Sequence, residues 1–163
     1  MVAVRHARPE DASAIAAIWN PMILGTLSTF AAAEKTEQDV AALIGARGEA
    51  GHVWLVAEAA GEMLGFAAYA QFRSGAGYAR TMEHSIILRP ASVRRGTGRR
   101  LIGALEDAAR ARRVHALIGA ISAENAAGLG FHAAMGFAEV GRLAQVGHKL
   151  GRWLDLVLVQ KLL

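Results

Sequence analysis

A predicted strand, a glycine-containing turn and a predicted helix follow one another without interruption between Met82 and Leu101. The strand is indicated by the branched apolar run Ile86 to Leu88, and Arg89-Pro90 ends it. From Gly98 onwards, apolar residues recur at helical spacing. The fold must therefore place a helix N-terminus directly after a buried strand.

The turn between strand and helix has the chemistry of an anion-binding site. The first N–H groups of a helix lack intrahelical partners, and the helix dipole favours negative charge beside them. Gly96 and Gly98 let a ligand approach the backbone closely. We therefore predict a pyrophosphate site, although a tight turn with solvated arginines fits the string alone equally well. Four arginines add positive charge there: Arg94, Arg95, Arg99 and Arg100.

Two common nucleotide motifs do not describe this turn. A Walker A loop requires Gly-Lys-Ser/Thr, which does not occur, and Leu101 stands where a dinucleotide fingerprint has its third glycine. The net charge is +4, with arginines concentrated between Arg89 and Arg113. Such a patch suits a polyanionic ligand, either a nucleotide cofactor or a nucleic acid.

Composition limits the remaining possibilities. The 163 residues suffice for a single domain, 1–163, and 53% of them are hydrophobic, which excludes a disordered chain. The absence of cysteine excludes disulfides, thiolate metal sites and a cysteine nucleophile. No apolar run reaches membrane-spanning length, and the N-terminus does not resemble a signal peptide. We expect a soluble, cytoplasmic, bacterial protein.

The pattern along the rest of the chain predicts an α/β fold with a mixed sheet, because strands and helices alternate only in the second half. Further strands are predicted at Val2–His6, His52–Glu58, Met63–Phe72, His115–Ile121 and Trp153–Gln160, with another starting at Gly136-Phe137. Helices are predicted from Pro9 to Asn20-Pro21, from Thr36 to Gly48, and from Ala123 to Met135. Thr26–Phe30 is predicted as a loop or short strand, and Gly147–Arg152 as a loop.

The string Arg-Arg-Gly-Thr-Gly-Arg-Arg-Leu after an apolar strand resembles the acetyl-CoA pyrophosphate loop of the GNAT superfamily of N-acetyltransferases. That pattern is Gln/Arg-x-x-Gly-x-Gly/Ala, and only Val93, at the leading position, departs from it. The predicted order of elements is similar to the GNAT order along the whole chain. The resemblance implies a central, mixed, mostly antiparallel sheet of about seven strands flanked by about four helices.

Three further stretches are similar to one branch, the phosphinothricin and methionine sulfoximine N-acetyltransferases. They are Thr81–Leu88, Asn125 through Gly136-Phe137, and Val146–Asp155, with departures at Gly128 and Leu150. The branch implies acetyl transfer from acetyl-CoA, as co-substrate and without a metal, to the α-amine of a small amino-acid analogue. Methionine sulfoximine, methionine sulfone and phosphinothricin are the substrates that this resemblance implies.

The resemblance also implies catalytic roles for Glu83 and His132. By this resemblance, Glu83 would be the general base. Without the resemblance, its position on a strand favours a carboxylate that pairs with a nearby arginine. His132 stands where the wider superfamily has a tyrosine thought to protonate the thiolate, and a packing role is equally compatible with it. We expect His84 to be a half-buried strand histidine making one hydrogen bond.

For the cofactor, the family implies that backbone groups of Ile86, Ile87 and Leu88 hold the thioester oxygen and the pantetheine amides. Asn125 would cap the following helix, contact pantetheine, or do both. The pyrophosphate would be bound by the turn residues Arg94, Arg95, Gly96, Thr97, Gly98 and Arg99.

For the amino-acid substrate, Arg73 matches an arginine that pairs with the substrate carboxylate in this branch, and a surface role is its alternative. Lys149 and Arg152 are expected to face either the acidic head of the substrate or solvent. An apolar wall is expected from the aromatic residues Phe30, Phe72, Tyr78 and Trp153, for which core packing is the alternative.

Three classes of function stay open. They are an N-acetyltransferase acting on a small amino-acid analogue, one acting on a protein N-terminus or another amine, and a nucleic-acid-binding module. The nucleic-acid-binding module is the least favoured of the three, because no nucleic-acid motif is present and no aromatic residues interleave with the basic run. A homodimer is expected, since the branch is dimeric and apolar residues cluster near the C-terminus: Trp153, Leu154, Leu156 and Leu158.

Overall fold

A seven-stranded sheet forms the centre of the computed structural model, which describes residues 1–163. Its strand order is β1-β2-β3-β4-β5-β7-β6, and only the β4–β5 pair is parallel. The predicted mixed, mostly antiparallel sheet is therefore confirmed. The strands are β1 (Ala3–His6), β2 (Trp54–Ala59), β3 (Glu62–Gln71), β4 (Thr81–Leu88), β5 (Ala116–Ser122), β6 (Ala138–Lys149) and β7 (Arg152–Leu162).

Four α-helices cover the two faces of the sheet: α1 (Ala12–Gly25), α2 (Glu37–Glu49), α3 (Thr97–Ala111) and α4 (Ala126–Ala134). On one face, α1 and α2 pack around Phe66 of β3. On the other face, Leu101 and Leu105 of α3 pack on Leu117 of β5. Burial of these apolar faces drives the assembly. None of the helices combines the length and the apolarity that crossing a membrane requires.

The first helix does not end at Asn20-Pro21, as predicted, but continues to Gly25. Pro21 costs one helical N–H bond, yet Ile23 beyond it is fully buried and holds the next turn on the core. The Asn20 side chain bonds the loop instead of stopping the helix. Its Nδ2 donates to the Lys35 carbonyl at 3.0 Å, and its Oδ1 accepts from the Lys35 N–H at 2.9 Å.

The predicted loop at Gly147–Arg152 is also shorter than expected. Residues Gly147 to Lys149 belong to β6, and Arg152 already belongs to β7. The turn consists of Leu150 and Gly151, with φ angles of 50° and 72°. Two consecutive positive φ angles match the twist of a tight antiparallel hairpin. Similarly, α4 begins at Ala126 rather than Ala123, because Asn125 caps it.

Candidate active site

The parallel strands β4 and β5 separate halfway along their length. Their pairing runs from Thr81 opposite Ala116 to His84 opposite Gly119, and then stops. Beyond this point lies a cleft of about 530 Å³, with Ile86 of β4 on one side and the end of β5 on the other. The cleft therefore passes between the strands and joins the two faces of the sheet.

Backbone hydrogen-bonding groups face this opening. The N–H of Arg89 donates to Leu64 of β3 at 2.8 Å, so odd-numbered residues of β4 direct their backbone groups to β3. By the alternation of an antiparallel ladder, Ile86 and Leu88 turn theirs towards the opening. The backbone of Ile87 faces β3, and this residue contributes a side chain to the cleft. Of the three residues predicted here, two present backbone groups to the opening.

The N-terminus of α3 lies at the C-terminal end of β4 and has no side-chain cap and no acidic residue in its first turn. The first intrahelical bond is donated by the Arg100 N–H to the Gly96 carbonyl at 3.1 Å. The turn contains two left-handed residues, Arg94 at φ 61° and Gly96 at φ 80°. Uncapped N–H groups and the helix dipole make this end suitable for an anion. The arginines predicted to bind the pyrophosphate, Arg94, Arg95 and Arg99, are exposed around it.

The two glycines of the turn have different roles. A Cβ on Gly96 would meet no atom within 4 Å, so this glycine is required by its left-handed φ angle. A Cβ on Gly98 would lie 3.1 Å from the Phe131 ring and 3.4 Å from Leu88. Gly98 therefore permits close packing of α3 against α4. The expectation that its missing Cβ leaves room for phosphate is wrong, since that side faces the protein interior.

The N-terminal turn of α4 borders the cleft. The Asn125 Oδ1 accepts the Gly128 N–H at 2.9 Å, which is the predicted cap. Any Cβ on residue 128 would collide with the Asn125 side chain, and this explains glycine there. One turn later, His132 has both ring nitrogens engaged. Its Nδ1 lies 2.7 Å from the Gly128 carbonyl, and its Nε2 lies 2.9 Å from Nε2 of His84.

The α1–α2 loop closes the opposite side of the cleft. Phe30 lines the cleft and packs against Gly147 of β6, where any Cβ would overlap its ring. The Nζ of Lys149 donates to the Thr29 carbonyl at 2.8 Å. Lys149 is only 5% exposed, so it meets neither solvent nor the cleft directly. Lys149 therefore anchors the α1–α2 loop, which forms this side of the cleft.

Glu83 lies on the α1/α2 face of β4, next to the end of the β4–β5 pairing. Its carboxylate is solvent-accessible and makes no hydrogen bond within the protein. Partial burial raises the pKa of Glu83, and the Arg47 guanidinium opposes this rise. Arg47 itself lies over the Trp54 ring, 5.0 Å from the centroid. A carboxyl group with a raised pKa is suited to accept a proton near neutrality.

The other predicted substrate residues form two groups outside the cleft lining. Phe72 is diagonal to Glu83 on the same face of the sheet. Arg73 lies over the Phe72 ring at 5.3 Å, and Tyr78 contacts that ring edge-on at 6.4 Å. Trp153 is 64% exposed and packs on His148 at 4.7 Å, away from the other three aromatics.

Sequence reasoning missed several cleft residues. Trp19 and Met22 of α1 project into the cleft one turn apart, and their helical spacing could have indicated a shared face. The lining from β5 depends on the separation of the strands, for which the chain carries no local signal. Sequence reasoning also missed Arg47, the guanidinium group that lowers the pKa of Glu83. Other lining residues that were missed include Ser28, Thr29, Ala120, Ile121, Ser122 and Phe131.

Comparison with known proteins agrees with this geometry. Residues 4–158 match the family model for the acetyltransferase (GNAT) domain. The chain is 39% identical over 161 residues to an L-methionine sulfoximine/L-methionine sulfone acetyltransferase of Pseudomonas paraeruginosa, covering 96% of this chain and 92% of that protein.

Solved structures agree as well. The crystal structure of a ribosomal-protein-alanine N-acetyltransferase from Brucella melitensis superposes with a TM-score of 0.95 at 38% identity, covering 99% of both chains. A GNAT superfamily phosphinothricin acetyltransferase from Sinorhizobium meliloti, in complex with AcCoA, superposes with a TM-score of 0.94 at 27% identity, covering 99% of this chain and 88% of that one. With its cleft between diverging strands and its uncapped helix N-terminus, the chain belongs to the GNAT family and is an N-acetyltransferase.

Proposed function

We propose that the protein transfers acetyl from acetyl-CoA to the α-amine of a small amino acid with a tetrahedral polar head, such as methionine sulfoximine or methionine sulfone. The observation that carries this proposal is the opening between β4 and β5. This opening connects the uncapped N-terminus of α3, on one side of the sheet, with the face of the sheet that carries Glu83. The names of the Pseudomonas and Sinorhizobium relatives support the substrate class.

In this proposal, acetyl-CoA lies along the opening. Its pyrophosphate binds at the N-terminus of α3, beside the exposed arginines Arg94, Arg95 and Arg99. The pantetheine arm passes the Asn125 turn of α4 and the free backbone groups of Ile86 and Leu88. The acetyl group then lies where the strands separate. The AcCoA complex of the Sinorhizobium relative supports this cofactor.

The reaction proceeds by direct attack. Glu83 accepts a proton from the substrate ammonium, directly or through water, and the neutral amine attacks the thioester carbon. One of the two free N–H groups of β4, that of Ile86 or that of Leu88, stabilises the oxyanion of the tetrahedral intermediate, and the other is left for the pantetheine arm. The carbon–sulfur bond then breaks, the nitrogen releases its extra proton to give the neutral amide, and the departing thiolate takes up a proton. That His132 supplies this proton stays a prediction, since its Nε2 would first have to leave His84.

Arg73 is the proposed partner of the substrate carboxylate. An assay of thiol release from acetyl-CoA tests this role of Arg73 and the proposed substrate class. We expect methionine sulfoximine and sulfone to be acetylated, and phosphinothricin less efficiently, because Gly75, two residues after Arg73, provides no second guanidinium group for a phosphinate. Arg73→Ala should raise the KM for the amino acid by roughly 10- to 100-fold, because a charged hydrogen-bond pair is lost. The KM for acetyl-CoA should stay the same.

Two controls make this test specific. Arg80→Ala removes another exposed arginine from the same loop and should change neither constant. In the wild type, the methyl ester of the substrate should be acetylated less efficiently than the free acid. Equal efficiency for acid and ester would show that no carboxylate is recognised, and the substrate would belong to another class of amines.

A second candidate function is acetylation of a protein N-terminus. It is favoured by the similarity to the ribosomal-protein-alanine N-acetyltransferase, which spans 99% of this chain. A peptide beginning with alanine presents an α-amine but no α-carboxylate. Such peptides should therefore be poor substrates if Arg73 binds a carboxylate. Faster turnover of these peptides than of free amino acids would favour the second function.

We also propose a two-fold homodimer formed through the β6–β7 edge of the sheet. Of the four apolar residues expected there, only Trp153 is well exposed, while Leu154 belongs to the core. Instead, β6 supplies the exposed apolar side chains Val140, Leu143 and Val146. Such a patch marks an interaction surface. Light scattering at micromolar concentration should give twice the mass of the chain, and a monomer would contradict the proposal.

A further inference from the structure

Two buried histidines meet at the base of the opening between β4 and β5. His84 is opposite Gly119, the last pair before the strands separate, and His132 lies on α4. Their Nε2 atoms are 2.9 Å apart, and both side chains border the cleft. The pair therefore connects the central strand to the helix that flanks the cofactor side.

When both rings are neutral, the hydrogen bonds of the pair have only one possible direction. The Gly128 carbonyl can only accept, so Nδ1 of His132 carries a hydrogen and donates at 2.7 Å. A neutral His132 then has a lone pair at Nε2, and His84 must donate its Nε2–H to it. The Nδ1 of His84 is left without a hydrogen and has no hydrogen-bond partner of good geometry, although the Ile118 backbone lies close enough to raise the pKa of His84. Each ring is thus held in a single tautomer.

The surroundings of the pair favour its neutral form. A Cβ on Gly119 would lie 3.2 Å from the His84 ring, and Phe137 contacts both rings at 5.1 and 5.3 Å. Burial, together with the repulsion that a protonated His132 would exert, lowers the pKa of His84 to about 3. Burial also lowers the pKa of His132.

Charged groups on the neighbouring elements are engaged elsewhere. Glu83 of β4 points to the opposite face of the sheet. Lys161 of β7 lies over the Phe137 ring at 5.8 Å, and its Nζ donates to Glu106 of α3 at 2.7 Å. Phe131, next to His132 on α4, presents only an apolar ring. Tyr69 of β3 lies opposite His84 on the same face of the sheet, and burial raises the pKa of its phenol, so Tyr69 is uncharged near neutral pH.

We propose that His84 is a positioning residue of the acetyltransferase: by donating its Nε2–H to His132, it keeps that ring neutral and in one tautomer. His132 then holds the Gly128 carbonyl, and the Gly128 N–H is bonded to Asn125 at 2.9 Å. His84 thereby fixes the turn of α4 that borders the pantetheine arm, so the inference rests on the proposed binding of acetyl-CoA. While the pair is closed, neither nitrogen of His132 can donate to the thiolate.

Nitrogen NMR of the full chain labelled at its histidines tests the pair directly. In the wild type, His132 should be protonated at Nδ1 only and His84 at Nε2 only, with neither titrating between about pH 5.5 and 8. Mixed tautomers, or titration of either residue within this range, would overturn the proposal. This measurement needs no ligand, so it decides on the pair even if acetyl-CoA fails to bind.

Two variants test the positioning role. His84→Gln keeps an N–H donor near the original Nε2 and should retain the wild-type acetyl-CoA affinity and its flat pH dependence. In His84→Leu, which has no donor, His132 should titrate nearer its ordinary value. Acetyl-CoA affinity should then fall about tenfold between about pH 8 and 5.5 as the charged ring disturbs the α4 turn. Identical pH profiles for the two variants would mean that His84 serves only in packing. If the His84→Leu chain does not fold, the wild-type NMR spectrum alone decides whether His84 donates to His132.

Discussion

Replacing Glu83 by Gln is expected to lower the turnover of acetyl transfer by about 10²- to 10⁴-fold, the usual contribution of a positioned base. Glutamine keeps the size of the side chain but cannot accept the ammonium proton. Calorimetry should find acetyl-CoA affinity unchanged, because the side chain lies on the face opposite to His84. The matched variant Glu49→Gln, at an exposed position at the end of α2, should keep wild-type turnover.

The pH dependence of kcat/KM provides an independent check on the same residue. Because the base acts as a carboxylate, activity should rise with pH through the pKa of Glu83, which partial burial places above its ordinary value. Arg47 lowers this pKa, so Arg47→Met should move the rise to higher pH. The rise should disappear in Glu83→Gln. Near-normal turnover of that variant at neutral pH would leave Glu83 only a charge interaction with Arg47.

Gly96→Val is expected to raise the KM for acetyl-CoA by about 10- to 100-fold. The φ angle of 80° at this position disfavours any side chain, and a branched one most strongly. The turn would have to change, and the N–H groups of α3 would lose their alignment with the pyrophosphate. Each hydrogen bond to a charged group contributes about 1.5–3 kcal/mol, so losing even one accounts for such a change.

S-acetylpantetheine, which lacks the pyrophosphate and the nucleotide, serves as a donor that does not need the turn. Gly96→Val should use it as well as the wild type does. Gly51→Val is the matched control for strain, because Gly51 also has a positive φ, 72°, with no atom within 4 Å of a built Cβ, and lies before β2. An equal loss with both donors would mean that the variant damages the fold and that the turn does not bind pyrophosphate.

Much of the fold could be predicted because its signals are local. Apolar runs and turn residues located every strand, and the β4–turn–α3 unit was identified from its own residues. The continuation of α1 beyond Pro21 could not be predicted, because it depends on the burial of Ile23 and on the bond between Asn20 and Lys35, fifteen residues away. Local propensity is overridden here by tertiary contacts.

The candidate site was predicted less completely, because its decisive contacts join distant parts of the chain. The separation of β4 from β5 leaves no local trace, although it creates the cleft. The partners His84 and His132 are 48 residues apart, and Lys149 is 120 residues from the Thr29 carbonyl that it binds. Single site residues could therefore be predicted from their chemistry. The residues that they contact could be identified only from the folded structure.

The position of β7 between β5 and β6 has a consequence for how the enzyme is assembled. During synthesis β6 leaves the ribosome first, but its only partner in the sheet is β7, the strand that follows it. Lys149 and Gly147 therefore cannot be held against the α1–α2 loop until β7 is in place. The wall on the amine side of the cleft is completed last, whereas the β4–turn–α3 unit needs only residues made earlier. A nascent chain would thus form the proposed acetyl-CoA site before the proposed substrate site.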